Sequence, residues 1–327
     1  MSDLETRAGV YLDSFLAPLA PYLDRADVTD IYINRPGEIW TETLGGDIER
    51  HACEQLTEQV LMRLARQIAA RSAQGINREH PLLAASLPDG ARVQVVAPPA
   101  TRGSPVMAIR KHVAAKLSLA NYSEAGAFDY MSEAQHSLDT ASSFESLGGE
   151  GAMAFLAGAV RERRNILISG GTSSGKTTFL NALLREIPKD ERLILIEDTP
   201  ELDLIHKNAV GLLAARSQLS ETQLSAEDLL IAALRMRPDR IMLGELRGKE
   251  AYTFLRTVNT GHPGSMTTIH ADSPMRAIEQ LALLVLQSGA QLRWEDVLHY
   301  VRSSVDVFVQ LERKGGRRFV SEIMVRT

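Results

Sequence analysis

Residues 170–178 read GGTSSGKTT and satisfy the spacing G-x-x-x-x-G-K-[ST] from Gly170 through Gly175, Lys176 and Thr177. With glycine near 7% of residues in ordinary proteins, a chance match in a chain of this length has a probability of roughly 1%. The residue types fit phosphate chemistry. Glycines let backbone N–H groups turn toward phosphate oxygens, and a helix beginning there adds its dipole. Lys176 can reach β- and γ-phosphates, and the Thr177 hydroxyl can ligate Mg2+. The run Gly170, Gly171, Thr172, Ser173, Ser174, Gly175, Lys176, Thr177 and Thr178 is therefore a candidate segment for binding a nucleoside triphosphate with Mg2+.

Carboxylates follow at the spacing such a site needs. IMLGELRGKEA carries an apolar run to Glu245, with Gly244-Glu245 where an aspartate is usual. A glutamate there can polarise the attacking water or hold Mg2+ through a water. IEDTPEL places Glu197, Asp198 and Glu201 after a second apolar run, at the edge where open α/β sheets bind ligands. The stretch TGHPGSMTTIHADSP adds His262, His270 and Asp272. A metal site needs three or four converging ligands, and neither cysteines nor an H-x3-5-H spacing supplies them. A Ser-His-Asp site of the G-x-S-x-G kind has no matching motif. SMTTIH reads instead as a third strand ending at His270, which could donate a hydrogen bond to a γ-phosphate or to the catalytic glutamate. His262 reads equally as a structural histidine.

The elements that must position these residues follow from hydrophobic rhythm. NILISG (165–170), RLILIE (192–197) and DRIMLGE (239–245) are continuous apolar runs, the mark of strands covered on both faces. Helices are expected at about 177–186, 225–236 and 249–258. VDVFVQLERKGGRRFVSEIMV closes the chain as two strands around a Gly-Gly turn. Before residue 112 the rhythm differs. VTDIYIN and EIWTET form a hairpin through RPG, residues 54–72 an amphipathic helix, and ARVQVVAPP and PVMAIRKH two more strands. Residues 10–23 carry apolar positions at helical spacing. Residues 113–150, rich in Ser, Gly, Ala and Glu, read as a linker with room for short helices. The expected division is 1–112, an α+β domain; 113–150, a linker; and 151–327, an α/β domain.

Composition bounds the function. The chain has 327 residues, 41 acidic against 36 basic, for a net charge of −5, so it carries no overall electrostatic footprint for nucleic acid. One cysteine, Cys53, makes neither an internal disulfide nor a cysteine zinc site, which fits a reducing cytosol. No apolar run reaches the roughly 18–20 residues that span a bilayer, and MSDLETRAGV does not look like a signal peptide.

Taken together, GGTSSGKTT, IEDTPEL, RPDRIMLGELRGKEA and TGHPGSMTTIHADSP resemble, in order, the four boxes of the secretion and traffic ATPases. Within that superfamily LRMRPDRIMLGELRGKEAY, GTSSGKTTFLNALLREIPKDERLILIEDTPEL and the early TDIYINRPGEIWTE look like the VirB11 branch of type IV secretion. The resemblance implies a RecA-like P-loop ATPase domain preceded by a smaller α+β domain, ATP and Mg2+ between them, and a homohexamer. It implies a cytoplasmic enzyme, peripheral at the inner membrane, working with other type IV secretion subunits. Arg92 in GARVQVVAPP and Arg110 in MAIRK match arginines that approach the phosphates, where a cation stabilises transition-state charge. Arg237 and Arg247 are weaker candidates. Thr177 and Glu245 would serve the metal; Glu245, with Glu201, would position or activate water, and His270 would sense the γ-phosphate. A type II secretion or type IV pilus motor, a nucleotide-gated scaffold with little turnover, and a nucleic-acid motor stand as alternatives. The single cysteine, short of a four-cysteine zinc module, disfavours a type II motor and the early domain a pilus motor. The full set of acids and histidine disfavours the scaffold, and the low net charge and lack of basic, aromatic-interleaved stretches the nucleic-acid motor.

Overall fold

The computed structural model describes residues 12–72, 74–111, 117–131, 144–149, 151–214 and 224–327. They form two compact units, the described residues up to 111 in the first and those of 117–214 and 225–327 in the second.

The first unit is an antiparallel sheet in the order β3-β2-β1-β6-β5-β4. Strands β1 (Val28–Ile33) and β2 (Gly37–Thr43) form the expected hairpin, with Gly37 at φ +84° in the turn. Strands β3 (Ile48–Cys53) and β4 (Leu82–Ser86) are the two edges, and β5 (Arg92–Val96) and β6 (Val106–Arg110) lie inside. Helix α1 (Glu58–Arg71) starts at Thr57, whose side chain accepts from the Val60 N–H. Its Leu61, Leu64 and Ile68 share a core with Ile31, Ile39, Val93, Val95, Met107 and Ile109 of the sheet. Alternation along β5 and β6 puts these apolar residues on one face and Arg92 and Arg110 on the other.

The second unit is a mixed sheet in the order β10-β9-β11-β12-β8-β13-β14-β7. Strands β8 (Ile166–Gly170), β9 (Leu193–Glu197), β10 (Ala209–Leu213), β11 (Arg240–Leu243), β12 (Met266–Ile269) and β13 (Val307–Lys314) run parallel. Strands β14 (Arg317–Arg326) and β7 (Phe144–Leu147) add antiparallel pairs at one edge. Neighbours in β8 show why the apolar runs are continuous: Ile166 and Ile168 enter one core, Leu167 the other. Helices α2 (Leu119–Glu124), α3 (Ala152–Arg161) and α4 (Lys176–Leu184) cover the first face. Helices α5 (Ala226–Leu234), α6 (Glu250–Asn259), α7 (Pro274–Gln287) and α8 (Trp294–Ser304) cover the second.

Segment 113–150, read above as a linker, holds structure in its described parts. Ser118 caps α2, Leu119, Tyr122, Phe128 and Met131 pack in the first core, and β7 pairs with β14. At the end of β11 away from the candidate site, Arg240 is fully buried. It donates to both Glu191 carboxylate oxygens (2.6 and 2.7 Å) and to the Val160 carbonyl (2.6 Å), anchoring the strand that leads to Glu245. Among the described residues, no helix is long and apolar enough to cross a membrane.

Candidate nucleotide site

The loop between β8 and α4 is shaped by contacts that forbid a larger residue. A Cβ on Gly170 would lie 2.5 Å from Ser174 Oγ and 2.7 Å from the Leu311 carbonyl oxygen. Gly175 sits at φ +93° and Ser173 at φ +59°, both in the left-handed region. This geometry ends on the first turn of α4, whose free N–H groups and dipole favour an anion. Lys176 is 8% exposed, and Thr177 and Thr178 follow it, half-buried, on the same turn.

Lys176 Nζ donates to the carbonyls of Gly170 (2.8 Å) and Gly171 (3.1 Å) and lies 3.2 Å from His270 Nδ1. An ammonium group only donates, so Nδ1 is the acceptor and the ring proton sits on Nε2. Nε2 in turn is 2.8 Å from Glu245 Oε1. Lys176, His270 and Glu245 thus stand in one line, joined by a hydrogen bond from Lys176 to the ring and a close polar contact from the ring to Glu245. Burial pulls the Lys176 amine below the usual lysine range, against the opposing pull of Glu245. Burial likewise lowers the His270 pKa, reinforced by Lys176 and Arg247 and opposed by Glu245 and by the Gly170 carbonyl.

Glu245 lies two residues beyond β11, which ends at Leu243 rather than running on to the glutamate. The shortening has a local cause. Thr268 of β12 takes over the backbone, its hydroxyl donating to the Gly244 carbonyl (2.8 Å) and its own carbonyl accepting from Leu246 N–H (2.8 Å). Arg247 pairs with Glu245 Oε2 and reaches Asp198 Oδ2 at 3.4 Å, which ties the two acidic loops together. Of the second acidic group, Glu197 folds its own turn: its Oε1 accepts from the N–H groups of Glu201 (2.8 Å) and Leu202 (2.7 Å). Buried Asn181 of α4 pins that turn, donating to the Glu201 carbonyl (2.9 Å) and accepting from Asp203 N–H (2.8 Å).

Two histidines eight residues apart in sequence have opposite fates. His270 follows β12 at the phosphate end, whereas His262 precedes β12 at the other end, its Nδ1 3.2 Å from the Pro238 carbonyl. Asp272 pairs with Arg276 on the surface. Arg237 precedes β11 and so lies at the end opposite Glu245, while Arg247 joins the site. In the first unit, Arg92 and Arg110 are register partners on β5 and β6, and Asp30 of β1 faces Arg110 with a 2.8 Å bond from Nε. Asp30 thereby offsets the repulsion of two facing arginines.

Two residues that sequence reasoning passed over also shape the site. Buried Gln310 of β13 accepts from Ser169 Oγ (2.5 Å) and donates to the Ala271 carbonyl (3.2 Å), linking the strand before the phosphate loop to the residue after His270. Asn181 is the other. A polar residue inside the apolar run VFVQL is the signal that marks Gln310.

Among the described residues, no three His, Cys, Asp or Glu side chains converge as a protein-only metal cage. A hydroxyl such as Thr177 with a carboxylate such as Glu245 fits Mg2+, which keeps waters and phosphate oxygens among its ligands. For the nucleotide, the cradle of glycines, the helix terminus and Lys176 fit a phosphate chain.

Comparison with known proteins places this geometry in a family. The family model described as "Type II/IV secretion system protein" matches residues 14–318. The type IV secretion system protein VirB11 of Bartonella quintana is 38% identical, over 94% of this chain and 91% of the relative. The type IV secretion system protein PtlH of Bordetella pertussis is also 38% identical, over all of this chain and 98% of its own length. Among solved structures, the ATPase DotB of Legionella pneumophila superposes with a TM-score of 0.62 at 18% identity, covering 96% of this chain and 80% of that one. The last likeness carries the fold: a RecA-like ATPase unit preceded by a smaller α+β unit. The chain belongs to the type II/IV secretion system protein family, on the branch of VirB11 and PtlH.

Proposed function

We propose that this protein hydrolyses ATP to energise substrate translocation or assembly of a type IV secretion system. It would act as a homohexamer, in the cytoplasm at the inner membrane, with other subunits of that system. The observation that carries the reading is the line from Lys176 through His270 to Glu245, which links a phosphate-binding cation to a carboxylate able to activate water. Residues 1–112 and 151–327 would be the two working domains, with 113–150 as the segment that joins them.

In the proposed mechanism the triphosphate lies on the backbone of residues 170–175 with Lys176 turned to its β- and γ-oxygens. Thr177 and Glu245 would hold Mg2+, which would supply charge neutralisation. Glu245 orients a water for attack on the γ-phosphorus; the bond to the β–γ bridging oxygen breaks, ADP and phosphate leave, and the water's proton passes to the carboxylate. Glu245 Oε2 is held by Arg247, whereas Oε1 is buried 2.8 Å from His270 Nε2 without a hydrogen-bond partner among the described residues. His270, with Nε2 against that carboxylate, would steady it and report through Nδ1 on where Lys176 stands. Glu201 assists from the neighbouring loop, and Arg92 and Arg110 are the first unit's candidate cations for transition-state charge.

The test is ATP hydrolysis against protein concentration, wild type beside Lys176→Ala. Specific activity that rises with concentration and is lost in the variant is expected of an enzyme completed by assembly. Activity that is flat with concentration removes the assembly requirement, and activity that survives in Lys176→Ala removes the site.

A further inference from the structure

The phosphate loop has a neighbour that the proposed mechanism does not use. Arg318, on β14, donates from Nε to the Ser173 carbonyl at 3.0 Å. Ser173 is the non-glycine residue of the loop held at positive φ, so its carbonyl direction is set by a conformation that costs energy to keep. The same side chain backs the next turn of the loop: a Cβ on Gly175 would lie 3.2 Å from Arg318 Cδ. Two successive bends of the loop therefore rest on one arginine.

Register explains how β14 reaches the loop. β13 pairs with β8 up to Leu311 opposite Gly170, and β14 returns beside it with Arg318 opposite Arg313, beyond the end of β8. Glu245 and His270 follow β11 and β12 on one side of β8, whereas β13 and β14 lie on the other. Arg318 thus stands across the loop from the γ-phosphate machinery. Half-buried beside Arg313, it is held there at an electrostatic cost that a purely decorative surface arginine would avoid.

Given the reading of residues 170–178 as a phosphate cradle, we infer that Arg318 is a positioning residue for nucleotide binding. Its Nε–H holds the Ser173 carbonyl, and its stem supports Gly175, so that the loop N–H groups face the phosphates. Because it acts through the loop and away from Glu245 and His270, it serves ATP and ADP alike.

Two variants of nearly equal shape isolate the hydrogen bond. In Arg318→Gln, Nε2 occupies the place of the arginine Nε; in Arg318→Met, a methyl group does. Titration of the full chain with a fluorescent ADP analogue, steady-state hydrolysis of ATP, and nucleotide-free melting are measured, with Lys176→Ala alongside. Arg318→Met is expected to raise Kd for ADP and KM for ATP by one common factor of about tenfold. Arg318→Gln should remain within about threefold of wild type, and both should melt as wild type does. Equal affinities in the two variants, a factor seen for ATP alone, or a fall in melting of Arg318→Met that tracks its lost affinity overturns the assignment. Should Lys176→Ala also bind ADP as wild type does, the nucleotide reading itself falls. Weak binding in Lys176→Ala with wild-type binding in Arg318→Met removes Arg318 only.

Discussion

Replacing His270 by alanine cuts the line between Lys176 and Glu245. Two contacts go at once, Nδ1 at 3.2 Å from Lys176 Nζ and Nε2 at 2.8 Å from Glu245 Oε1. The bond from Lys176, made by a charged donor, contributes about 1.5–3 kcal/mol, and the Nε2 contact, which is not a hydrogen bond in this geometry, adds less. The His270 side chain is 49% exposed, so water takes over part of what is lost and the lower figure applies. Two contacts of one ring are coupled and do not simply add. The expected total of about 1.5–3 kcal/mol is a ten- to hundredfold fall in kcat. Phosphate release at saturating ATP measures it, with ADP affinity determined separately to show that the cradle survives. A pH profile tests the proton order. Protonating the ring would set an Nδ1 donor against the Lys176 donor, and the imidazole pKa is lowered from 6.5 chiefly by burial. The neutral ring therefore persists below pH 6.5, and the wild-type acid limb should have its midpoint under that value and vanish in His270→Ala. A variant within about threefold of wild type in kcat, or one that keeps the same limb, refutes the line.

Glu245→Gln keeps the shape but not the base, and should lower kcat by about 10²–10⁴ while ADP affinity, read by titration, holds. Gly170→Ala drives a methyl group to 2.5 Å from Ser174 Oγ and 2.7 Å from the Leu311 carbonyl, so it should distort the loop at a cost of about 1–3 kcal/mol. Its signature is weaker ADP binding together with a lower melting midpoint. Arg240→Met strands the buried Glu191 carboxylate, for which Arg163 at 3.3 Å is only a partial counter-charge. It should destabilise the second unit by about 3 kcal/mol, and adding Glu191→Leu should restore most of that in denaturant unfolding.

Much of this was legible because strand ends carry the chemistry. NILISG, RLILIE and DRIMLGE announce buried parallel strands, and a ligand site at their C-terminal edge follows from that class of sheet. The edges were harder. IERHAC in β3 is charged and half-exposed, and AVGLL in β10 is too short and too open to stand out as a buried run. Tyr122, Phe128 and Phe144 come at no regular spacing, so the segment that adds α2 and β7 to the second unit reads as a linker. In the site, Glu245 and His270 could be placed by motif, but Asn181 and Arg318 could not. Each is one polar residue in an ordinary amphipathic element, and its role comes from what the fold brings within 3 Å of it. His262 shows the converse: the same residue type in the same motif, separated from its twin by the length of one strand.

The order of strands in the sheet explains why those residues matter. Across it run β9 with Glu197 and Asp198, β11 leading to Glu245, β12 leading to His270, β8 with the phosphate loop, then β13 with Gln310 and β14 with Arg318. Sequence order is different: β8 comes before β9, β11 and β12 yet sits between β12 and β13. The loop is therefore held from both sides by parts of the chain far from it in sequence. From one side Lys176 meets His270; from the other Arg318 meets Ser173; and Gln310 crosses from Ser169 to Ala271, coupling the loop's strand to the histidine's. A γ-phosphate that draws Lys176 away from His270 Nδ1 would thus change the partner of a ring whose other nitrogen faces Glu245. That one contact would then carry the presence of the terminal phosphate to the carboxylate that activates the attacking water.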